Sequence, residues 1–265
     1  MKIAILGAGH MGSWLAEVLP DEHEIAVYDI DETKVRRRHN TLPLKSPSEI
    51  RGYSPDLLIN AVSLQHTVPA FEAVLPFLTE KCILCDVASV KAGIAAYYED
   101  CGFRFVSVHP MFGPTFADMQ ALREENAVII NESCSEGKTF FEYLFARLGL
   151  RIFEYSFDEH DRMMAYSLTI PFVSSMMFAG CVDATTVPGT SFRHHMTIAR
   201  HLLSEDDHLL AEILFNPHSV AQLGRVTSQL EFLKHIIKGK DYEVAKEFFA
   251  KLRQNIGEPT GSPES

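Results

Sequence analysis

Lys2-Ile3-Ala4-Ile5-Leu6-Gly7-Ala8-Gly9-His10-Met11-Gly12 is the stretch on which the reading of this chain turns. Ile3–Leu6 is an apolar run of strand length, and the three glycines form a G-x-G-x-x-G that leads into a helical pattern. Glycine-rich turns are common, so the pattern alone is weak. A strand before it and a helix after it are what the dinucleotide fingerprint requires. Gly7 permits the tight turn, Gly9 lets backbone approach a pyrophosphate, and Gly12 lets helix and strand pack closely. His10 and Met11 open the helix, whose first N–H groups have no partner within it and suit an anion.

The next apolar run, Glu24-Ile25-Ala26-Val27-Tyr28-Asp29, ends in an acid close to the ~20-residue spacing that the fingerprint sets after its glycines. A carboxylate there accepts hydrogen bonds from both ribose hydroxyls of NAD and repels the 2′-phosphate of NADP. The cofactor-binding candidates are therefore Gly7, Gly9, His10, Met11, Gly12 and Asp29, with NAD as the expected cofactor. Arg36, nearby, is the feature that speaks for NADP instead. The triplet Arg36-Arg37-Arg38 otherwise reads as a solvated helix face.

Further strands are expected at 57–62, 82–87, 103–108, 126–130 and 151–154, with helices at 11–19, 66–78, 91–100 and 136–148 between them. Ser46-Pro47-Ser48-Glu49 reads as a small helix start, with Ser46 as cap and Glu49 reaching back. Strands alternating with helices give an α/β domain over 1–155, a Rossmann-type, mostly parallel sheet covered on both faces. From there the strand signal stops. Ser156-Phe157-Asp158-Glu159 is a capping box that opens a helix to about Ala179, bent at Pro171. Helices near 191–203, 204–215, 218–238 and 241–255 complete an all-helical domain over 156–256, followed by a disordered tail at 257–265. Leu223, Val226, Leu230, Leu233 and Ile237 make one apolar seam, suited to a partner helix in this chain or in a second copy.

A net charge of −11 argues against nucleic acid as a partner and means that an anionic ligand must meet locally concentrated cations. No run reaches the ~20 apolar residues of a membrane span, and the apolar start is too short for a secretory signal, so a cytoplasmic protein is expected. Five cysteines fit a reducing compartment. Cys82 and Cys85 lie on one strand and point to opposite faces, which suits core packing and not a redox pair. His194, His195, His201 and His208 show no His-x-x-x-His spacing, and adjacent helical residues diverge by about 100°, so no metal site is expected.

Two segments sit where strands end, the place where open α/β sheets keep their sites. They are Asp86-Val87-Ala88-Ser89-Val90-Lys91 and Val106-Ser107-Val108-His109-Pro110-Met111-Phe112-Gly113-Pro114. A histidine at a strand terminus, followed by an irregular loop, is well placed for proton transfer. A histidine bonded only to loop backbone fits the spacing equally well.

His109-Pro110-Met111-Phe112-Gly113-Pro114 resembles the signature of prephenate dehydrogenases, and Asp86–Lys91 resembles their preceding motif. Glu159-His160-Asp161-Arg162 with Ala165-Tyr166, then Phe192-Arg193 and Leu202–Ile213, continue the likeness, which runs from Gly7 to about Ile213. The resemblance implies NAD-dependent oxidative decarboxylation of prephenate to 4-hydroxyphenylpyruvate. It implies that His109 accepts the proton of the substrate hydroxyl and that Ser89 orients His109 or that hydroxyl. It also implies that Arg193 holds a substrate carboxylate, and that Lys91 adds positive charge or fixes its loop. The family often carries a second histidine where this chain has Phe172, a departure that His194 or His195 could make good. It opens the choice between prephenate and arogenate, which differ in a keto versus an amino group. The expected assembly is a homodimer through the helical half, acting on a small dicarboxylate.

Overall fold

The computed structural model describes residues 1–35, 40–112, 121–183 and 187–257. The arginine triplet, Gly113-Pro114 and all but the first residue of the expected tail lie outside the described residues.

Among the described residues, eight strands form one sheet. They are β1 (Lys2–Leu6), β2 (Glu24–Tyr28), β3 (Leu42–Leu44), β4 (Leu57–Asn60), β5 (Ile83–Asp86), β6 (Phe105–Pro110), β7 (Asn126–Ile130) and β8 (Arg151–Tyr155). Their order is 3-2-1-4-5-6-7-8. β1 pairs in parallel with both β2 and β4, and β5 with β6; only the β6–β7 pair is antiparallel. The first six strands thus follow the dinucleotide-binding order, whose crevice lies at the carboxyl ends where the order reverses, between β1 and β4.

The helices are α1 (His10–Val18), α2 (Glu32–Val35), α3 (Ile50–Tyr53), α4 (Leu64–Val74), α5 (Ile94–Asp100), α6 (Ser135–Leu148), α7 (Phe157–Met164), α8 (Ile170–Gly180), α9 (Thr190–Leu202), α10 (Asp207–Leu214), α11 (Ser219–Gly239) and α12 (Tyr242–Ile256). The sheet separates two buried clusters. Ile3 and Ile5 face one, and Ala4 and Leu6 face the other, because alternate residues of a strand point to opposite sides. Both faces are covered, which is why β1 reads as an unbroken apolar run. Cys85 belongs to the first cluster and Cys82 to the second, both as free thiols, and burial pushes the Cys82 thiol up to about 12.

The Rossmann-type sheet and helical C-terminal region are as the sequence leads one to expect; three local readings are corrected. β3 is an eighth strand that Leu42-Pro43-Leu44 conceals: it is three residues long and holds a proline, tolerated because the strand is at the sheet edge. Ser46 makes no cap to the helix backbone; Glu49 instead accepts from the N–H of Lys45, one residue earlier than a capping box would have it. The box at Ser156 is complete, with Glu159 N–H donating to Ser156 Oγ and Ser156 N–H donating to Glu159 Oε2.

The third correction concerns the long helix after Ser156. Its irregularity is a π-helical turn, Ala165–Thr169, between α7 and α8, one turn before the expected bend. Pro171 both lacks an N–H and crowds the carbonyl of Ser167 four residues earlier, so the distortion falls ahead of the ring. Through that turn, Phe157–Gly180 forms 24 residues with a mean hydropathy of 1.3 in its most apolar stretch, of which 17% is buried. By length and composition alone it could cross a membrane. The expectation that no such segment exists is amended accordingly; the charged run Asp158–Arg162 at the helix start masks it in the sequence.

By compactness the chain forms two units, Met1–Ser219 and Val220–Ser265. The change from strands to helices after Tyr155 lies inside the first. In the second, Phe232 packs edge-on against Phe248 at 5.3 Å, while Leu223, Leu230, Leu233 and Ile237 of the seam stay exposed.

Candidate active site

The glycine turn is built as its residue types demand. Gly7 has φ +91°, and a Cβ there would lie 2.9 Å from the carbonyl oxygen of Ala61 on the neighbouring strand's exit. A Cβ on Gly12 would fall 1.9 Å from the Gly7 carbonyl oxygen, a backbone atom that cannot step aside. Gly9, by contrast, faces open space within 4 Å. It precedes α1, which has no side-chain cap and no acid in its first turn, so the N–H groups of Met11 and Gly12 at the helix start suit an outside acceptor. The cradle thus fits a pyrophosphate. Asp29 is buried and braces the turn: Oδ2 accepts from Ala8 N–H at 2.6 Å and Oδ1 from Asp31 N–H at 2.8 Å. Each carboxylate oxygen keeps a further lone pair for a ribose hydroxyl. Gly7, Gly9 and Asp29 line a cavity of about 460 Å³ with Tyr28, Ser63 and His66. The last two, hydrogen-bonded to each other at 2.9 Å, carry no motif by which the sequence would single them out.

Two alanine substitutions separate packing from binding here. Gly12→Ala should destabilise the fold by roughly 1–3 kcal/mol, the cost of forced overpacking. Gly9→Ala should leave the melting temperature unchanged and weaken dinucleotide binding, since its methyl enters the cradle and nothing else. Thermal melts and dinucleotide titrations of both variants check this, and a Gly9→Ala protein that binds as wild type would remove the pyrophosphate from Gly9.

His109 lies near the end of β6, at the same carboxyl end of the sheet as Gly7, because β1, β4, β5 and β6 run parallel. The loop that follows is tied to the glycine-turn helix: Phe112 packs edge-on against Trp14 of α1, ring centroids 5.1 Å apart. Met111 N–H donates to Asn126 on β7. The imidazole is 5% exposed. Its Nδ1 is 3.0 Å from Nε2 of His160, whose Nδ1 is 2.9 Å from Oδ1 of Asp161. Both partners stand on α7 and are buried. The Lys91 N–H donates to the same Asp161 oxygen, and Asn216 Nδ2 donates to the Asp161 carbonyl. Burial, then the charges of His160 and Lys91, hold the His109 pKa well below 6.5; burial also lowers that of His160, against the pull of Asp161.

Behind His109 lies a sealed ion pair. Lys91 Nζ is 2.5 Å from Asp86 Oδ2 and 2.8 Å from the carbonyl oxygen of Val108, and both charged side chains are 0% exposed. Tyr98 Oη donates to the other Asp86 oxygen and Ala88 N–H to Oδ2. Lys91 was expected to carry positive charge to the substrate or to fix its loop. The second of these fits the geometry: the ammonium has three donors, is enclosed, and ties the end of β5 to the residue before His109. Residue 91 also precedes α5, which opens three residues later than the helix read from the sequence.

Ser89 sits half-buried in the same loop, its hydroxyl unengaged among the described residues. Arg193 is on α9 with an exposed guanidinium held by Pro188 O at 3.2 Å and Thr190 Oγ1 at 3.3 Å, both at its own helix start. No hydrogen bond joins it to His109 or Ser89 among the described residues. Phe172 is half-buried on α8, and His194 and His195 are exposed on α9, where His195 bonds to Ser191 O and lies against the Phe178 ring. Among the described residues no group of three His, Cys, Asp or Glu side chains has metal-ligating geometry.

Residues 17–148 match the family model described as the nucleotide-binding domain of prephenate dehydrogenase. A probable arogenate/prephenate dehydrogenase of Methanocaldococcus jannaschii is 22% identical over 282 residues, an alignment covering 99% of this chain and 61% of the relative. Arogenate dehydrogenase 1, chloroplastic, of Arabidopsis thaliana is 23% identical over 265 residues, covering 93% of this chain and 41% of the relative. The chain therefore spans less than two thirds of either relative. The crystal structure of prephenate dehydrogenase from A. aeolicus, in complex with hydroxyphenyl propionate and NAD+, superposes with a TM-score of 0.84 at 18% identity, covering 96% of each chain.

Proposed function

From the match to the nucleotide-binding domain of prephenate dehydrogenase we propose that this chain is a member of that family and that it oxidises and decarboxylates prephenate to 4-hydroxyphenylpyruvate with NAD as cofactor. The observation that carries the reading is His109, a buried imidazole kept uncharged at the carboxyl end of β6, the end of the sheet where the glycine turn opens. An uncharged imidazole is what a proton acceptor for an alcohol must be at neutral pH.

NAD, which Gly7, Gly9, Gly12 and Asp29 would hold, would supply the acceptor for the hydride lost from C4 of the substrate ring. His109 accepts the hydroxyl proton, so that C4 becomes carbonyl-like. The bond from C1 to its carboxylate then breaks, its electron pair enters the ring, and carbon dioxide leaves. The ring becomes aromatic and the proton returns from His109 to the phenolic oxygen. Ser89, whose hydroxyl is unengaged among the described residues, orients the reacting hydroxyl. Arg193 exchanges its two long hydrogen bonds for a substrate carboxylate, which its planar fork grips in pairs. In a chain of charge −11, such a local cation is what offsets the overall repulsion of a dicarboxylate. Asp29 supports NAD over NADP.

Arogenate is the second reading, supported by Phe172 in place of the family's second histidine and by the arogenate dehydrogenases among the relatives. NADH formation with carbon dioxide release, measured on purified prephenate and arogenate with NAD and NADP, separates the two. Turnover of prephenate with NAD is expected to be the fastest of the four combinations; no turnover of either acid would end both readings.

The same proposal includes a homodimer through the helical half. Its support is the apolar surface that the chain leaves open, including Met177, Ile198 and Leu203 on the first unit and Leu230, Phe232 and Ile237 on the second. Light scattering on the eluting protein should give twice the mass of the chain, and a monomer at micromolar concentration would exclude the dimer.

A further inference from the structure

From the hydrogen-bonded row His109–His160–Asp161 we infer that His160 and Asp161 are positioning residues that lock His109 in its Nδ1–H tautomer and so aim a bare Nε2 at the reacting hydroxyl. The inference rests on the functional reading above for its use of His109.

The argument follows the donors and acceptors in order. Asp161 Oδ1 is a carboxylate oxygen and can only accept, so His160 must carry its proton on Nδ1, 2.9 Å away. A neutral His160 then presents a lone pair on Nε2. His109 Nδ1 stands 3.0 Å from that lone pair, so it must be the donor. In a neutral imidazole the remaining nitrogen, Nε2, is then unprotonated, which is the form a proton acceptor needs. Were the row reversed, His109 would hold its proton on the nitrogen facing the substrate and could not act.

Asp161 is itself fixed at two points. Its Oδ1 also receives the Lys91 N–H at 2.8 Å, and its carbonyl receives Asn216 Nδ2 at 2.8 Å. The anchor of the row is thus set by the β5–α5 loop and by the segment after α10. The charged or titratable groups facing the row are Asp86, Lys91 and Asp161. The Lys91 ammonium lies 2.8 Å from the carbonyl of Val108 and 2.5 Å from Asp86, its charge balanced there.

The direct test is the ring-nitrogen spectrum of the full chain labelled with ¹⁵N-histidine, signals assigned through His109→Asn and His160→Gln. His109 and His160 should both show a protonated Nδ1 and a bare Nε2. A His109 protonated on Nε2 overturns the inference, whatever the enzyme turns over. This readout is independent of substrate, so an enzyme inactive on prephenate and arogenate would sink the functional reading and leave the tautomer decided.

Kinetics supply the second arm. His160→Phe deletes the acceptor and should lower kcat by at least about 100-fold, the scale of a misplaced proton on a catalytic imidazole, with KM and dinucleotide affinity unchanged. His160→Gln can accept from His109 through Oε1 while its amide N–H₂ donates to Asp161, so it should recover most of the loss. Asp161→Asn keeps an acceptor but removes the charge, and should move the acid limb of kcat/KM to lower pH. Equal losses in His160→Phe and His160→Gln, with an unmoved acid limb in Asp161→Asn, would mean the two residues only pack.

Discussion

Replacing His109, the proposed proton acceptor, by asparagine should lower kcat by about 100- to 10,000-fold, the usual contribution of a positioned base, and leave dinucleotide affinity unchanged. Asparagine can still donate an amide hydrogen to Nε2 of His160, so the substitution removes the proton acceptor with little change in packing. The pH dependence of the wild-type enzyme carries the same information. His109 must be uncharged to act, so kcat/KM falls as pH drops through its pKa. Burial, with the charges of His160 and Lys91, places that pKa well below 6.5, so the profile should be level above 6.5 and fall only on the acid side. Stability follows the same sign: below 6.5 an unfolded His109 binds a proton that the folded one refuses, so acid favours unfolding. An asparagine variant with near wild-type kcat would be evidence that another group takes the proton.

How much of this was legible beforehand depends on distance along the chain. The glycine turn is local: strand, turn and helix occupy eleven consecutive residues, and each glycine's role follows from geometry that recurs wherever a strand enters a helix at a phosphate. Asp29 is equally legible, because it directly follows the strand that neighbours β1. His109 could be found by its place at a strand end. The partner of His109 could not. His160 lies 51 residues away on a helix that the sequence reads as the opening of a different domain, and only the folded chain brings the two rings to 3.0 Å. The two roles left open for Lys91 could not be separated in the sequence for a related reason. A cation near a strand end in an acidic protein looks like a site for an anion, and nothing local reveals that Asp86, five residues earlier, turns back to neutralise it. The π turn is a third instance, since Pro171 announces a distortion but not that it settles one turn upstream.

Lys91→Met separates those two roles with the largest stability change expected in the molecule. Methionine fills most of the lysine's volume but leaves the Asp86 carboxylate buried, with Tyr98 and Ala88 as its remaining donors. Removing one partner of a buried ion pair typically costs about 3–5 kcal/mol, because the other charge stays out of water. For a chain of this size that corresponds to a fall in Tm of roughly 10 °C. The Val108 carbonyl loses its donor in the same step, which loosens the strand just before His109. Loss of the nearby positive charge also eases protonation of His109, so the acid limb of kcat/KM should move up toward 6.5. Adding Asp86→Asn to Lys91→Met removes the stranded charge and should restore much of the Tm, since deleting both members of a buried pair is far less costly than deleting one. A lysine that instead held the substrate would behave in the opposite way on every axis. Lys91→Met would then raise KM, the melt would be unchanged, and Asp86→Asn would rescue nothing.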